Sequence, residues 1–376
     1  MSTVVAIPRG DAGFGGRLSP TGTGDGRMLI DNLACSTTTE GRRLSATVTW
    51  EDRDFPSAEL VFEFVAPASA KRVAGCDHSE DPCPDAFLTA CFPLAAVHGE
   101  VRVRIDGSPC PMLVEGLRLA HSWWSIWGGM PGTAPKIETG RHRRAAVDGQ
   151  RHAIGFFSGG VDSLHMLMRN RQLYRPDEPA YIRDLLFIHG FDIGKRRRDP
   201  ENGRYQMALR RLEPVACETG ARLIACSTNL RHLPSRPDFW EDRHTGAALA
   251  AVGHAAACGA AFAFIGGTYT VANAVPSGSH PVIDSLFSSQ YLTVIHDGAR
   301  FTRLEKVSDL ASWPTALSAL RVCPASPEAG AANCGRCEKC LCTHAVSLRV
   351  MPRAPSLPWC QFSRWPRQLR LRAGSG

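Results

Sequence analysis

Ala153-Ile-Gly-Phe-Phe157 is an unbroken apolar run, followed at once by Ser158-Gly-Gly-Val-Asp-Ser163 and then by Leu164-His-Met-Leu-Met-Arg-Asn170. The run is short, apolar throughout and bounded by glycine, the pattern of a buried strand, and the residues after it start a helix. A strand, a glycine turn and a helix start form a cradle for an oxyanion. Two glycines let the backbone bend and approach a ligand, the amides of a helix N-terminus point at it, and Ser158 and Ser163 add hydroxyl donors. Asp162 stands where it orients the loop or helps hold Mg²⁺. A plain strand-to-helix turn capped by Ser and Asp is the competing reading. Neither GxxxxGK[ST] nor GxGxxG occurs here, which argues against γ-phosphate transfer and hydride transfer.

The same alternation continues downstream. DLLFIHGF (184–191), ARLIACST (221–228) and AFAFIGG (261–267) resemble strands, and helical patterns lie between them at Ser163–Gln172, Arg204–Glu218 and His244–Cys258. Strands alternating with helices predict a parallel sheet covered on both faces, with ligands bound beyond the carboxyl ends of its strands. That rule singles out Asp192 after the second strand, Asn229 after the third, and Gly266 with Gly267 and Thr268 after the fourth. Asp192 suits a ribose hydroxyl or Mg²⁺, and a turn aspartate capping Gly194 explains it equally well; Asn229 divides the same way. His280 and Asp284 sit in a Ser/Gly/Pro-rich loop and form a candidate pair to bind or deprotonate an incoming nucleophile. Lys306, near Arg303 in RFTRLEK, would neutralise charge building on a phosphate.

Upstream, residues 8–27 are rich in Gly, Pro and Thr without apolar periodicity, so 1–27 is expected to be a flexible leader. LSATVTW (44–50), ELVFEFV (59–65) and VRVRI (101–105) are strand-like, with helices expected at Asp85–Val97, after Pro84 and kinked at Pro93, and at 113–127. Residues 28–130 thus form a strand-rich α+β domain, in which Trp123, Trp124 and Trp127 suit core packing. A linker is expected at 131–149, a nucleotide-binding α/β domain at 150–322, a metal-binding tail at 323–350 and a basic extension at 351–376.

The chain has 376 residues, 44% hydrophobic and 21% charged, which excludes a wholly disordered or collagen-like protein. A net charge of +7 falls short of a nucleic-acid-binding signature. No signal peptide or membrane span is expected, so the chain should be soluble and cytoplasmic. In a reducing compartment 14 cysteines do not predict disulfides. Four of them, Cys323, Cys334, Cys337 and Cys340, have the spacing of a tetrahedral Zn²⁺ site, structural because all four ligands come from protein.

The complete SGGVDS after a first strand resembles the fingerprint of the PP-loop ATP pyrophosphatases, members of the HUP superfamily. The resemblance implies that Ser158, Gly159, Gly160, Val161, Asp162 and Ser163 hold the pyrophosphate of ATP while a substrate oxygen attacks the α-phosphate. Ammonia, an amine or a sulfur donor then displaces AMP. The cysteine tail C-terminal to such a domain is similar to that of the 7-cyano-7-deazaguanine synthases. HGFDI (189–193), TNLR (228–231), GSHPVIDSLFSS (278–289) and IHDG…RLEK (295–306) are similar to a further PP-loop group with the same tail and a comparable strand-rich N-terminal region.

Three functions follow: ATP-dependent adenylation of a small carboxylate or amide-like substrate with attack by ammonia or an amine, thiolation of a small molecule or RNA with Cys226 as the best relay thiol, or a non-catalytic nucleotide sensor. The cofactors implied are ATP, Mg²⁺ and Zn²⁺. The partners are a small-molecule substrate and an ammonia or amine donor, with a homodimer allowed.

Overall fold

The computed structural model describes residues 26–37, 41–65, 82–128, 130, 132–140, 151–194, 202–236, 238–257, 260–323, 333–337, 339–341 and 343. The first three strands, β1 (Arg27–Thr37), β2 (Gly41–Trp50) and β3 (Ala58–Val65), form an antiparallel meander. Helix α1 (Pro84–His98) begins on proline, whose fixed φ and missing N–H suit a first helical position. Every residue from Pro84 to Val97 is buried, as a helix apolar on all sides requires. Then come β4 (Arg102–Ile105), α2 (Pro111–Ile126) and β5 (Lys136–Thr139). Leu113, Leu117, Ala120 and Trp124 of α2 share its buried face, and Trp124 stacks on Phe287 at 6.1 Å.

The second half runs β6 (His152–Phe156), α3 (Val161–Leu173), β7 (Ile182–His189), α4 (Asn202–Thr219) and β8 (Arg222–Thr228). A π-helical turn at Trp240–His244 leads into α5 (Thr245–Ala256). The chain continues through β9 (Ala260–Gly266), β10 (Thr293–Asp297), α6 (Arg303–Leu310) and α7 (Pro314–Ala319).

All ten strands belong to one sheet, in the order β10-β9-β6-β7-β8-β3-β2-β1-β4-β5. Within β6 to β10 the sequence order across the sheet is third, second, first, fourth, fifth, and all four pairings are parallel. The crossover direction therefore reverses between β6 and β9, where an open α/β sheet leaves a crevice. Successive residues of β7 enter opposite cores, Leu186 on the side of α1, α2 and α5, and Leu185 and Phe187 on the side of α3, α4, α6 and α7.

Two features differ from the expected organisation. The N-terminal strand-rich region does not build its own sheet, because β3 pairs antiparallel with β8 from Phe62↔Thr228 to Val65↔Ala225. Left unpaired, the outer edge of β8 would present a row of free backbone donors and acceptors. The expected linker contains β5, which extends the sheet beside β4. The leader up to residue 25, residues 141–150, the basic run 195–198, most of the cysteine tail's flanks and the extension 351–376 lie outside the described residues.

Candidate functional site

The loop Ser158–Ser163 joins β6 to α3 at the switch in strand order. Gly159 has φ 74°, in the left-handed region that glycine enters without a Cβ penalty. Gly160 caps α3 in extended conformation, so the first-turn amides have no acceptor within the helix. The Ser158 hydroxyl accepts from the Gly160 amide at 3.3 Å and lies 3.4 Å from Ser163 Oγ, and Ser163 Oγ donates to Gly160 O at 3.1 Å. Gly266, at the end of β9, comes up against the same turn. A Cβ there would lie 2.8 Å from the carbonyl oxygen of Asp162, which accounts for glycine at that position.

A cavity of ≈ 270 Å³ opens beside this loop, a little below the roughly 300–1,000 Å³ usual for ligand sites. Ser158, Gly160, Asp162, Ser163, Gly266 and Thr268 line its polar end. Phe156, Leu186, Ile188, Phe191, Leu249 and Ile265 line its apolar wall, and Asp192 stands exposed at its rim. Trp240, Glu241 and Arg321 also line it and were not foreseen. The π turn that presents Trp240 and Glu241 breaks the 3.6-residue period, and Arg321 stands alone two residues before Cys323, so neither leaves a periodic signal. The Arg231 guanidinium lies 4.3 Å over the Trp240 ring, and Phe191 packs edge-on against that ring at 4.7 Å.

Lys306 and Asp162 come together although 144 residues separate them. Lys306 Nζ donates to Asp162 Oδ1 at 2.8 Å and also to Gly267 O. The capping box of Thr302 and Glu305 starts α6, the helix that carries the lysine. Lys306 is only 1% exposed, with its ammonium held between the Asp162 carboxylate and Gly267 O beside the loop. Arg303 Nη1 lies 4.0 Å from Asp162 Oδ2, and Thr268 Oγ1 donates to that oxygen at 3.4 Å. These contacts leave Asp162 oriented toward the loop, with two cations beside it.

Four other candidates are not among the residues that line the cavity. Asn229 accepts from Val61 N at 2.9 Å and donates to Glu59 O at 2.6 Å, extending the β3–β8 seam by mimicking a backbone. Asp284 is wholly buried and accepts from Ser279 Oγ at 2.7 Å, His280 N at 3.1 Å and His296 Nδ1 at 2.7 Å. Its ring partner is therefore His296. His280 instead packs edge-on against Trp127 at 4.9 Å, and burial lowers its pKa. The Cys226 thiol is sealed in the core, which pushes its pKa up and makes it a poor nucleophile.

The four predicted metal ligands do converge. The sulfurs of Cys323, Cys334, Cys337 and Cys340 all lie within 4.8 Å of one another. Cys323 and Cys337 are 3.8 Å apart and Cys334 and Cys340 4.0 Å. A tetrahedron with Zn–S near 2.3 Å has sulfur–sulfur edges of about 3.8 Å, so the donor set fits a cation such as zinc. Burial opposes ionisation of Cys334, but amide hydrogen bonds from Arg336 and Cys337 outweigh it and bring the thiol down to about 6.

Among the described residues no helix is long and apolar enough to cross a membrane. No protein-family model, no curated protein and no solved structure matches the chain.

Proposed function

We propose that this chain is an ATP pyrophosphatase-type ligase of the PP-loop kind, built on a HUP-type nucleotide-binding sheet. ATP would lie with its pyrophosphate on Ser158–Ser163 while a small carboxylate attacks the α-phosphate, and ammonia or an amine would displace AMP from the acyl adenylate. The observation that carries this reading is the complete SGGVDS loop at the point where the strand order reverses, with the cavity directly against it. Backbone amides there meet developing negative charge in a fixed arrangement, the condition for electrostatic stabilisation without reorganisation. Asp162, held by Lys306 and Arg303, is the residue assigned to orient the loop and to hold Mg²⁺. The aromatic pair Phe191 and Trp240 would take the flat part of a nucleotide or acceptor, with Glu241 as its hydrogen-bond acceptor. Zinc in the four-cysteine site would be structural.

The test is a product analysis over a panel of carboxylates with and without ammonium. AMP and pyrophosphate formed in a substrate-dependent way support the proposal. Substrate-stimulated ADP and orthophosphate would remove it.

A further inference from the structure

The cysteine site and the anion loop are joined by two independent sets of contacts. In the first, Ala319–Cys323 runs along the loop, and the Arg321 amide donates to Gly159 O at 2.8 Å. Cβ atoms built on Gly159 and Gly160 would lie 3.6 Å from Ala319 O and Arg321 O respectively, so this strap is in van der Waals range of both glycines. Asn333, which precedes Cys334 and is buried, holds the strap. Its Oδ1 accepts from Val322 N at 2.8 Å and Cys323 N at 3.2 Å, and its Nδ2 donates to Leu320 O at 2.8 Å. In the second set, Arg303 Nη2 donates to the buried Thr343 Oγ1 at 3.1 Å while Nη1 of the same guanidinium stands 4.0 Å from Asp162 Oδ2. The site thus reaches the start of the loop through its backbone and the end through its carboxylate.

A wholly structural site would need neither connection. Asn333 spends three of its four hydrogen-bonding positions on backbone groups of one short strap, and that strap places Arg321 in the wall of the cavity. Such an arrangement fixes the strap only as long as Cys323 and Cys334, which flank it in the knuckle, stay together. A bound metal would hold these thiols at the spacing seen here, because its binding free energy would be folding free energy for the segment around them.

We propose that the four-cysteine site is a clamp on the anion loop: metal ligation fixes the Ala319–Cys323 strap, Asn333 is its positioning residue, and Arg321 is a further phosphate-facing group. The part concerning Arg321 rests on the ATP reading; the coupling between metal and loop does not.

The experiment uses the full chain loaded with zinc, the same protein stripped by a chelator, and the variants Asn333→Ala, Arg321→Ala and Arg321→Lys. Two quantities are measured: hydrogen–deuterium exchange of peptides covering residues 157–163, and ATP affinity by calorimetry without an acceptor. Stripping and Asn333→Ala should both speed exchange in the loop, with the remainder of the sheet unchanged. Asn333→Ala and Arg321→Ala should each weaken ATP binding on the order of tenfold at full zinc content, and Arg321→Lys should recover part of the loss. If stripping frees only the segment after residue 322 and leaves loop exchange and ATP affinity unaltered, the clamp is overturned. If Asn333→Ala does not fold, Thr343→Val tests the second set of contacts with the same readouts. Metal-dependent loop exchange in a protein that does not bind ATP upholds the clamp and removes the adenylation reading instead.

Discussion

Ser158-Gly-Gly-Val-Asp-Ser163 and Ser277-Gly-Ser-His-Pro-Val-Ile-Asp-Ser285 are close in composition, each opening on Ser-Gly and ending on Asp-Ser. They come to opposite ends. The first lines the cavity, its aspartate partly exposed and flanked by cations. The second turns inward, and its aspartate is wholly buried under three donors. What separates them is topology. The first leaves the carboxyl end of a central strand where the crossovers diverge; the second packs on the start of α5, with Gly246 N donating to Gly278 O and Gly278 N to Glu241 O, both at 2.7 Å. A polar loop becomes a site when the sheet leaves open space in front of it, and otherwise its polar groups satisfy one another.

The comparison breaks most sharply at its two aspartates. Asp284→Ala leaves His296 Nδ1, Ser279 Oγ and His280 N without the wholly buried carboxylate they share, and should cost about 3–5 kcal/mol of stability. ATP affinity of the folded fraction should stay within about threefold. Denaturant unfolding and ATP titration measure both, and an undiminished stability would show that Asp284 does not anchor the segment. Asp162→Asn is the reverse case. Its amide oxygen can still accept from Lys306, but the buried ammonium loses its counter-charge, so stability should fall by about 1–3 kcal/mol, while AMP formation should fall on the order of 10²- to 10³-fold. Equal rates would place the chemistry away from this loop.

What could be seen in the sequence was local. The glycine loop 158–163 and the cysteine cluster are contiguous or nearly so, and the residues proposed to do the chemistry also set the backbone, through glycine at Gly159 and close cysteine spacing. What could not be seen depends on distant pairings. Lys306 reaches Asp162 across 144 residues and is buried against it. The β3–β8 seam depends on an edge that exists only once the sheet is built, and the side-chain bonds of Asn229 to Val61 and Glu59 exist only with that seam. His296 lies within an ordinary five-residue strand at the sheet edge, so its strand pattern does not mark it as the partner of Asp284.

His244, next to the point where the inward segment packs, sharpens the same contrast. It is buried and donates from Nε2 to Ala90 O at 2.9 Å, and burial brings its pKa from the ordinary 6.5 to about 4. Below pH 6.5 the unfolded chain takes up a proton that the folded chain refuses, so stability falls as pH drops from 6.5 toward 4 and is flat above 6.5. Between pH 7 and pH 5 this one group should remove on the order of 2 kcal/mol. Unfolding midpoints of the wild type and His244→Gln at both pH values isolate it. Identical pH slopes would mean that the neutral ring does not hold this junction.

The smallest effect is expected at Cys226, on the strand that joins the two halves of the sheet. Its thiol is 1% exposed, within the core shared by α1, α5 and β3, and burial pushes its pKa well above the ordinary thiol value. Sulfur transfer needs a thiolate that can reach the adenylated substrate, and a thiol held neutral behind the sheet supplies neither the charge nor the access. Replacing it with alanine removes little volume, so Cys226→Ala should leave product formation within a few fold of wild type. The measurement is mass analysis of the product with ammonium or sulfide as the donor. A variant that still forms AMP but releases no product would show that Cys226 is a relay after all, and would favour thiolation over amidation. If sulfur-bearing product persisted with sulfide, either sulfide attacks the adenylate directly or another cysteine is the relay; Cys217 is exposed, and its replacement separates the two.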